Sequence, residues 1–403
     1  MRNKLLLSAL AMCGMSCGLT ELGESPHSNA DGVWTGPFSS STSAVYVTAF
    51  EYPDGYDWRS DADKGVVKCS LVVFADKVPV LKIPVGDAYE VSSDPLRHRM
   101  IDGHLYTDYS DSSGTVIKKD GKELFRFLHQ EEIACMAVSG SRVHTLGIRL
   151  TGGFCYRIDG EIVLERSSGK VFRHMVMDRG KACFCFSQPV MEAGGVKERY
   201  YSAVGGKTSR VVPDTLVTDV SDMIFDEGQV CILASTRDAF LIEGESIVSV
   251  FRDGERKDIF RSVMAGMLTC SFSDQDCLTV TGMYSTPACP MNQYLWTRHD
   301  GSVYLGYGRS LSALCINEQG ICYAVNAEDG AAGVIAIDDH MMLMPEDYAV
   351  IGHDAMDFTD SVSICLGLSS RKGGRPILWK SDSGTDTLDI NGYVATVSSG
   401  CLR

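Results

Sequence analysis

An eight-residue strand pattern recurs eight times along this 403-residue chain, and any fold has to accommodate it. The copies are AVYVTAFE from Ala44, HLYTDYSD from His104, RVHTLGIR from Arg142 and KACFCFSQ from Lys181. They continue as QVCILAST from Gln229, DCLTVTGM from Asp276, GICYAVNA from Gly320 and SVSICLGL from Ser361. Their starts are 60, 38, 39, 48, 47, 44 and 41 residues apart. The second position is always Val, Leu, Ala, Cys or Ile, and the fourth is mostly apolar or Thr, as a buried strand face requires. Val143, Ala182, Val230, Ile321 and Val362 are therefore expected at equivalent buried positions.

Turns recur around these strands. A short strand and a polar turn precede most copies, as in MIDG at Met100, VMDRG at Val176, IFDEG at Ile224, FSDQ at Phe272 and INEQ at Ile316. Further on comes a second hairpin, with turns at Asp76-Lys77, Asp120-Gly121, Asp159-Gly160, Gly205-Gly206, Glu243-Gly244, Asp300-Gly301, Asp338-Asp339 and Asp382-Ser383-Gly384. Asp-Gly pairs supply the positive φ that a two-residue turn between twisted strands demands. Each unit thus reads as four strands, a to d, with a polar a–b turn and a tight c–d turn.

Four-stranded units of about 40 to 50 residues match the blade of a β-propeller. The fold expected is all-β: a single propeller of about eight antiparallel blades, or seven if a terminal unit is incomplete. An array of two-sheet sandwiches would show similar strands, but eight repeats without a linker favour the propeller. The extra strand Gly392–Val397 is placed to become the innermost strand of the first blade, which would remove an unpaired edge.

The first residues differ from the rest. Arg2 and Lys4 precede an apolar run from Leu5 to Met12, too short for a membrane span but suited to an export signal. Two endings are consistent with it. Ala9 and Ala11 form an A-x-A cleavage site, while Gly14-Met15-Ser16-Cys17 resembles the lipobox of bacterial lipoproteins, with Gly14 where Leu is usual. The second gives a signal over 1–16, lipidation at Cys17, a Ser/Gly/Pro-rich tether over 17–42 and a propeller over 43–400. The chain is then exported, to the outer membrane or periplasm as a lipoprotein or else secreted, and it meets a membrane only through that lipid.

Composition narrows the partners. With 52 acidic against 37 basic residues, the net charge of −15 excludes a nucleic-acid partner, which needs a concentrated basic surface. The fifteen cysteines contain no C-x-x-C, and Cys183, Cys231 and Cys322 share one strand position, as small packing residues do. Cys270/Cys277 and Cys315/Cys322 each span an a–b turn, the placement of a cross-strand disulfide. The nine His are scattered and form no metal motif; no nucleotide loop, nucleophile elbow or cofactor motif occurs.

Over about residues 44 to 400 the repeat resembles, at the level of the fold, that of exported, lipoprotein-like bacterial β-propellers. That resemblance implies a fold and leaves the activity open. On loop length, the b–c connections Tyr52–Asp63, Pro189–Glu198, Ser285–Asn292 and Ser369–Arg375 are expected to be long. So are the d–a segments Asp87–Arg99 and Arg252–Met267. All of these emerge on one face, where ligands are usually met. Tyr52, Tyr56 and Trp58, set among Asp54, Asp57, Asp61 and Asp63, are the candidate binding residues, their rings suited to a sugar or a peptide. The function expected is a non-catalytic binding or scaffolding propeller at the cell envelope, recognising a glycan, peptide or envelope protein. A hydrolase or lyase acting on an extracellular polysaccharide or other polymer is the alternative. An enzyme should show clustered buried acid/base groups with shifted pKa, and a binder should not.

Overall fold

The repeat copies fold as the strands Val45–Glu51, His104–Asp111, Arg142–Arg149, Lys181–Glu192, Gln229–Thr236, Thr279–Thr286, Gly320–Asn326 and Ile364–Ser370. The computed structural model describes residues 33–34, 44–59, 68–87 and 97–399. Within 97–399 it leaves out 112, 194, 212–216, 227, 237–245, 253–254, 263–268, 273–278, 287–288, 298–300, 308–309, 318–319, 327–332, 338–339, 353, 360–362 and 373–374. Each repeat strand is the second, or b, strand of its own antiparallel sheet, so the described residues form eight blades. The closing strand Gly392–Ser399 pairs with Val45–Glu51, so both ends of the propeller share blade 1. Val33–Trp34 pairs with Leu81–Lys82, so that sheet begins ahead of residue 43.

A two-residue geometry explains why the turns recur. Asp120 and Gly121 have φ of 50° and 79°, and Asp159 and Gly160 have 50° and 86°, so both residues of each turn are left-handed. The turn Asp then clamps the second residue of strand b. Leu105 N–H donates to Asp120 Oδ1 at 3.0 Å, and Asp120 N–H donates to the Leu105 carbonyl at 2.8 Å. Asp159 repeats this on Val143, at 2.8 Å for both bonds. Gly205 keeps only the backbone half, to Ala182 at 2.9 Å. In blade 8 a serine takes the place of Asp, because Ile364 N–H donates to Ser381 Oγ at 3.0 Å.

That clamp corrects the register of the last repeat. Ile364 is the equivalent of Leu105 and Val143, two residues beyond Val362, which itself lies outside the described residues. Val362, Ile364, Leu366 and Leu368 are all apolar, and a period-two pattern does not distinguish registers two apart. Val143 and Ala182 are buried as expected, whereas Val230 is only half-buried.

Other segments also depart from expectation. The c–d connection of blade 5 is 253–254, between Ser246–Arg252 and Glu255–Ser262, and not Glu243-Gly244. Turn signals flank the Ser246–Arg252 strand at both ends, Glu243-Gly244 and Asp253-Gly254, and the pairing of Arg252 with Glu255 makes the second the hairpin. The supposed d–a loop Arg252–Met267 accordingly contains an outer strand. Pro189–Glu198 and Ser285–Asn292 are not loops either. In blade 4 the strands Lys181–Glu192 and Gly195–Val204 run on as a long two-stranded ribbon, and in blade 6 strand Cys289–Thr297 starts soon after Thr286.

The core sits between blades and not within one. Val45, Val47 and Ala49 pack with blades 7 and 8, while Tyr46 and Phe50 on the opposite face pack toward Leu105 of blade 2. Strand b is therefore buried on both sides, which explains runs such as Ile364–Ser370 with every residue buried. Phe154, Tyr156, Phe184 and Phe186 fill the seam between blades 3 and 4. Near the axis, the Asp354 carbonyl accepts from Val397 N–H at 2.7 Å, laying the chain of blade 8 along the closing strand. Gly352 permits that approach, since a Cβ there would collide with the Ala395 carbonyl.

Candidate functional site

The inner strands carry buried ionisable groups: Arg99 and Asp222 reach across to neighbouring blades, whereas the Glu131 carboxylate is paired within blade 3. Arg99 of blade 2 pairs with Asp108 and donates to the Ile133 carbonyl of blade 3 at 2.7 Å. Glu131, with a fully buried side chain, receives Arg157 at 2.6 Å and has Arg149 at 3.7 Å. Asp222 of blade 5 accepts from His174 of blade 4 at 2.8 Å and from Phe272 N–H of blade 6 at 2.9 Å. These groups are occupied as fasteners. A His–Asp pair is one element of a nucleophilic site, but His174 is buried, including its Nδ1.

The nearest thiol does not complete such a site. Cys185 is buried beside Asp222 and Cys231, and burial followed by the Asp222 charge pushes its pKa up. A reactive cysteine needs the opposite, a cation that stabilises thiolate. Burial likewise raises Cys155 to about 11 and Cys365 to about 12. Cys315 and Cys322 are register partners on adjacent strands and both are buried. Cys277 lies outside the described residues, as does Cys17.

The aromatic loop of blade 1 is folded down onto its blade. Tyr52 is 5% exposed and Trp58 9%, with Tyr56 half-buried, so these rings do not stand free in solvent. Trp58 meets Tyr393 at 5.2 Å between centroids, Tyr52 meets Tyr56 at 5.5 Å, and the Arg59 guanidinium lies 5.8 Å from the Trp58 centroid. Asn391 latches the loop, donating from Nδ2 to the Pro53 carbonyl at 2.7 Å and the Tyr56 carbonyl at 3.0 Å. Burial supplies the physical reason: an indole and two phenols gain more by covering the blade edge than by hydration. Asp54 and Gly55 are exposed, and Asp57 is held below the usual carboxylate range by hydrogen bonds from Arg59. Asp61 and Asp63 lie outside the described residues.

Exposed apolar side chains appear on the same face, in blades 2 to 4. Leu128, in the connection from blade 2 to blade 3, is 88% exposed, and Leu150, at the b–c turn of blade 3, is 53% exposed. Met191 and Val196 are register partners near the tip of the blade 4 ribbon and are 79% and 64% exposed. The sequence does not mark these residues as exposed, because the 189–198 segment reads as a loop and its strand pairing is visible only in the fold. The Gly194-Gly195 pair between two alternating segments was the available signal for a hairpin.

One buried base carries a pH consequence. Burial first, and Arg99 second, push the His98 pKa from 6.5 down to about 4. The native state therefore holds His98 neutral. Its contribution to stability is complete above pH 6.5 and is lost as pH falls toward 4, because the unfolded chain binds the proton first. Urea midpoints measured between pH 7 and 4 are expected to fall less steeply in His98→Gln than in the wild type. Parallel curves would mean that His98 titrates normally.

Among the described residues, eight successive antiparallel sheets, six of four strands and two of five, with Gly392–Ser399 set inside the first, define an eight-bladed β-propeller. No family model matches the sequence, and no curated protein matches it. Among solved structures, it is similar to the β-propeller domain of the Trilobed protease from Pyrococcus furiosus. The identity is 10%, with 74% of this chain and 91% of that one covered at a TM-score of 0.44. It is also similar to TolB from Acinetobacter baumannii at 11% identity, covering 88% and 82% at a TM-score of 0.35. The Aleuria aurantia lectin in complex with Fucalpha1-6GlcNAc matches at 9% identity, 63% and 92% coverage and a TM-score of 0.29.

Proposed function

We propose that this chain is a non-catalytic binding propeller of the cell envelope that takes a peptide or protein on the face bearing its b–c and d–a connections. The observation that carries this reading is the set Leu128, Leu150, Met191 and Val196 on that face of three consecutive blades. Exposed apolar side chains gathered on one surface mark interaction sites. Three buried groups of the kind a polymer hydrolase would use are instead engaged in ion pairs, Glu131 with Arg157 inside blade 3 and His174 with Asp222 between blades 4 and 5. Glu192, beside Met191, pairs with Arg199 at 2.7 Å and Lys197 at 3.3 Å, which places an ion-paired cluster at the base of the apolar tip.

The test is a Met191→Asp/Val196→Asp variant. Surface substitutions of this kind change stability by about 0.5 kcal/mol or less. Binding to a peptide selected on an array by the wild-type chain is expected to weaken at least about tenfold, or about 1.4 kcal/mol. Unchanged affinity, or an array and glycan screen in which only glycans bind, would remove this reading.

Export with lipidation at Cys17 belongs to the same proposal, resting on the Ser16-Cys17 ending of the apolar leader. Intact mass spectrometry of protein from an envelope fraction is expected to show a chain beginning at acylated Cys17. In the same material, Cys315 and Cys322 are expected to be linked, since they face each other across the strands in a compartment that oxidises thiols. A chain starting at Met1, or one beginning at Met12, would refute the lipid anchor. Alkylation of both thiols without prior reduction would refute the link.

A further inference from the structure

Strands b and c of blade 4, Lys181–Glu192 and Gly195–Val204, outrun their own sheet. Strand a pairs no further than Lys170 with Ser187, and strand d no further than Val211 with Tyr200. Beyond those positions strands b and c pair with each other alone, from Gln188 with Arg199 out to Glu192 with Gly195. Among the described residues this arm therefore has two open edges, and the two are not alike.

Alternation decides which backbone groups point outward. Residues of an antiparallel strand turn their N–H and C=O to the two neighbouring strands in turn. The two-residue turn Gly205-Gly206 makes Val204 and Lys207 a hydrogen-bonded pair, so Ser202 and Tyr200 also bond to strand d. By the same step of two, Val196 and Glu198 turn theirs to that side, where strand d has ended. On strand b the matching step directs Ser187 to strand a, and Pro189 and Met191 to the edge beyond it. Pro189 has no N–H, a common way of blunting a sheet edge. The other edge carries no such block, and Gly195, Val196, Lys197 and Glu198 are all exposed.

The side chains beside the open edge define what it takes. Met191 faces Val196 and Pro189 faces Glu198 across the arm, so these four share one side. Glu192, Lys197 and Arg199 lie on the other side and are ion-paired among themselves. Glu198 has no cationic partner among the described residues. An edge of five residues is about 17 Å long and one strand wide. That is far below the roughly 1,600 Å² buried by a stable contact between folded chains, and two copies of this chain would each bring a net charge of −15. The edge fits a single extended segment.

We propose that the peptide bound on this face adds as a third, antiparallel strand to the Gly195–Arg199 edge, in the line that strand d vacates. This deepens the function proposed above and rests on it. The segment recognised reads basic-x-apolar. Its apolar residue lies opposite Val196, and two positions before it a Lys or Arg lies opposite Glu198. Both of these residues exchange backbone hydrogen bonds with the arm, whereas the residue between them turns its amide to solvent. A third strand also supports an arm that two strands alone hold weakly in water.

The probe is the labelled heptapeptide Thr-Thr-Lys-Thr-Val-Thr-Thr, blocked at both ends and titrated into the full chain by fluorescence polarisation. Saturable binding is expected. N-methylation of its Lys and Val amides removes two donors and is expected to weaken binding about tenfold or more. N-methylation of the Thr between them is expected to change it by less than about threefold. Because both changes are on the peptide, neither can disturb the fold of the protein. Glu198→Gln is expected to abolish the preference for this peptide over the same peptide with Glu for Lys. Glu198→Pro, which gives this edge the block that Pro189 gives the other, is expected to abolish binding while Tm stays within a few degrees of wild type. Equal affinity for the two methylated peptides overturns the strand addition, and so does failure of the heptapeptide where array-selected peptides bind. In either case, loss of the array-selected peptide in Met191→Asp/Val196→Asp would leave the broader function standing on side-chain contacts alone. If no peptide binds, that function and this inference fall together.

Discussion

Trp58→Ala is expected to lower the unfolding free energy by about 3 kcal/mol, although Trp58 lies in a surface loop. Removing a packed tryptophan side chain usually costs about 3–5 kcal/mol. Part of that is returned here, since the buried Nε1–H has no partner and its desolvation penalty of about 1–3 kcal/mol goes with it. What is lost is the contact with Tyr393 of the closing strand and with it part of the cover over blade 1. Tyr393 pairs in register with Phe50, so the loop and both ends of the propeller meet at this point. Chemical denaturation at neutral pH tests the expectation. A loss below about 0.5 kcal/mol, the range of a free surface residue, would mean that the indole is not packed. Trp58→Phe, which keeps most of the apolar area and drops the orphaned donor, is expected to lie close to wild type.

Much of the fold was legible because blade chemistry is local. The pairs Asp120-Gly121 and Asp159-Gly160 announce their turns directly, and strand b follows from the apolar second position that the turn Asp clamps. The closing strand was legible too, because Gly392–Val397 is a surplus strand after a complete hairpin. Reading failed where a local signal had two solutions. In blade 8 a continuous apolar run fits two registers, and only the bond from Ile364 to Ser381 fixes the choice. In blade 4 the Gly-Gly pair reads equally well as a loop, and only the cross-strand pairing from Cys183–Val204 out to Glu192–Gly195 shows the ribbon.

The site was less legible for a different reason. Whether an aromatic ring in a loop covers its own blade or awaits a ligand depends on the surface beneath it. For Trp58 that surface is Tyr393, more than three hundred positions away in sequence. The inner-strand fasteners share this property: nothing near Glu131 in the sequence announces Arg157, and nothing near His174 announces Asp222. Long-range pairing of polar groups has no periodicity to read. Exposed Leu128 and Met191 are ordinary hydrophobic letters until the fold leaves them uncovered.

Glu131→Ala is expected to be the more damaging substitution, at about 3–5 kcal/mol, because it strands a charge. The Glu131 carboxylate lies at the seam of blades 2 and 3 with no solvent exposure, and the Arg157 side chain it pairs with is only 6% exposed. Arg157 Nη2 donates to it at 2.6 Å, and the guanidinium also lies 4.3 Å from the centroid of Phe127 in blade 2. Gly147 on the facing strand leaves room for the carboxylate, since a Cβ there would strike it. Breaking a buried pair by removing one partner leaves an uncompensated charge, whereas replacing both with apolar groups of similar volume is often far milder. Glu131→Leu/Arg157→Met is accordingly expected to lose less than the sum of the two single variants, by about 1–3 kcal/mol of coupling. The double-mutant cycle, measured by urea denaturation, checks this, and additive losses would show that the pair is not coupled. Glu131 N–H also donates to Thr115 of blade 2 at 2.7 Å, a backbone bond that these substitutions leave in place, so the cycle reads the side-chain pair alone.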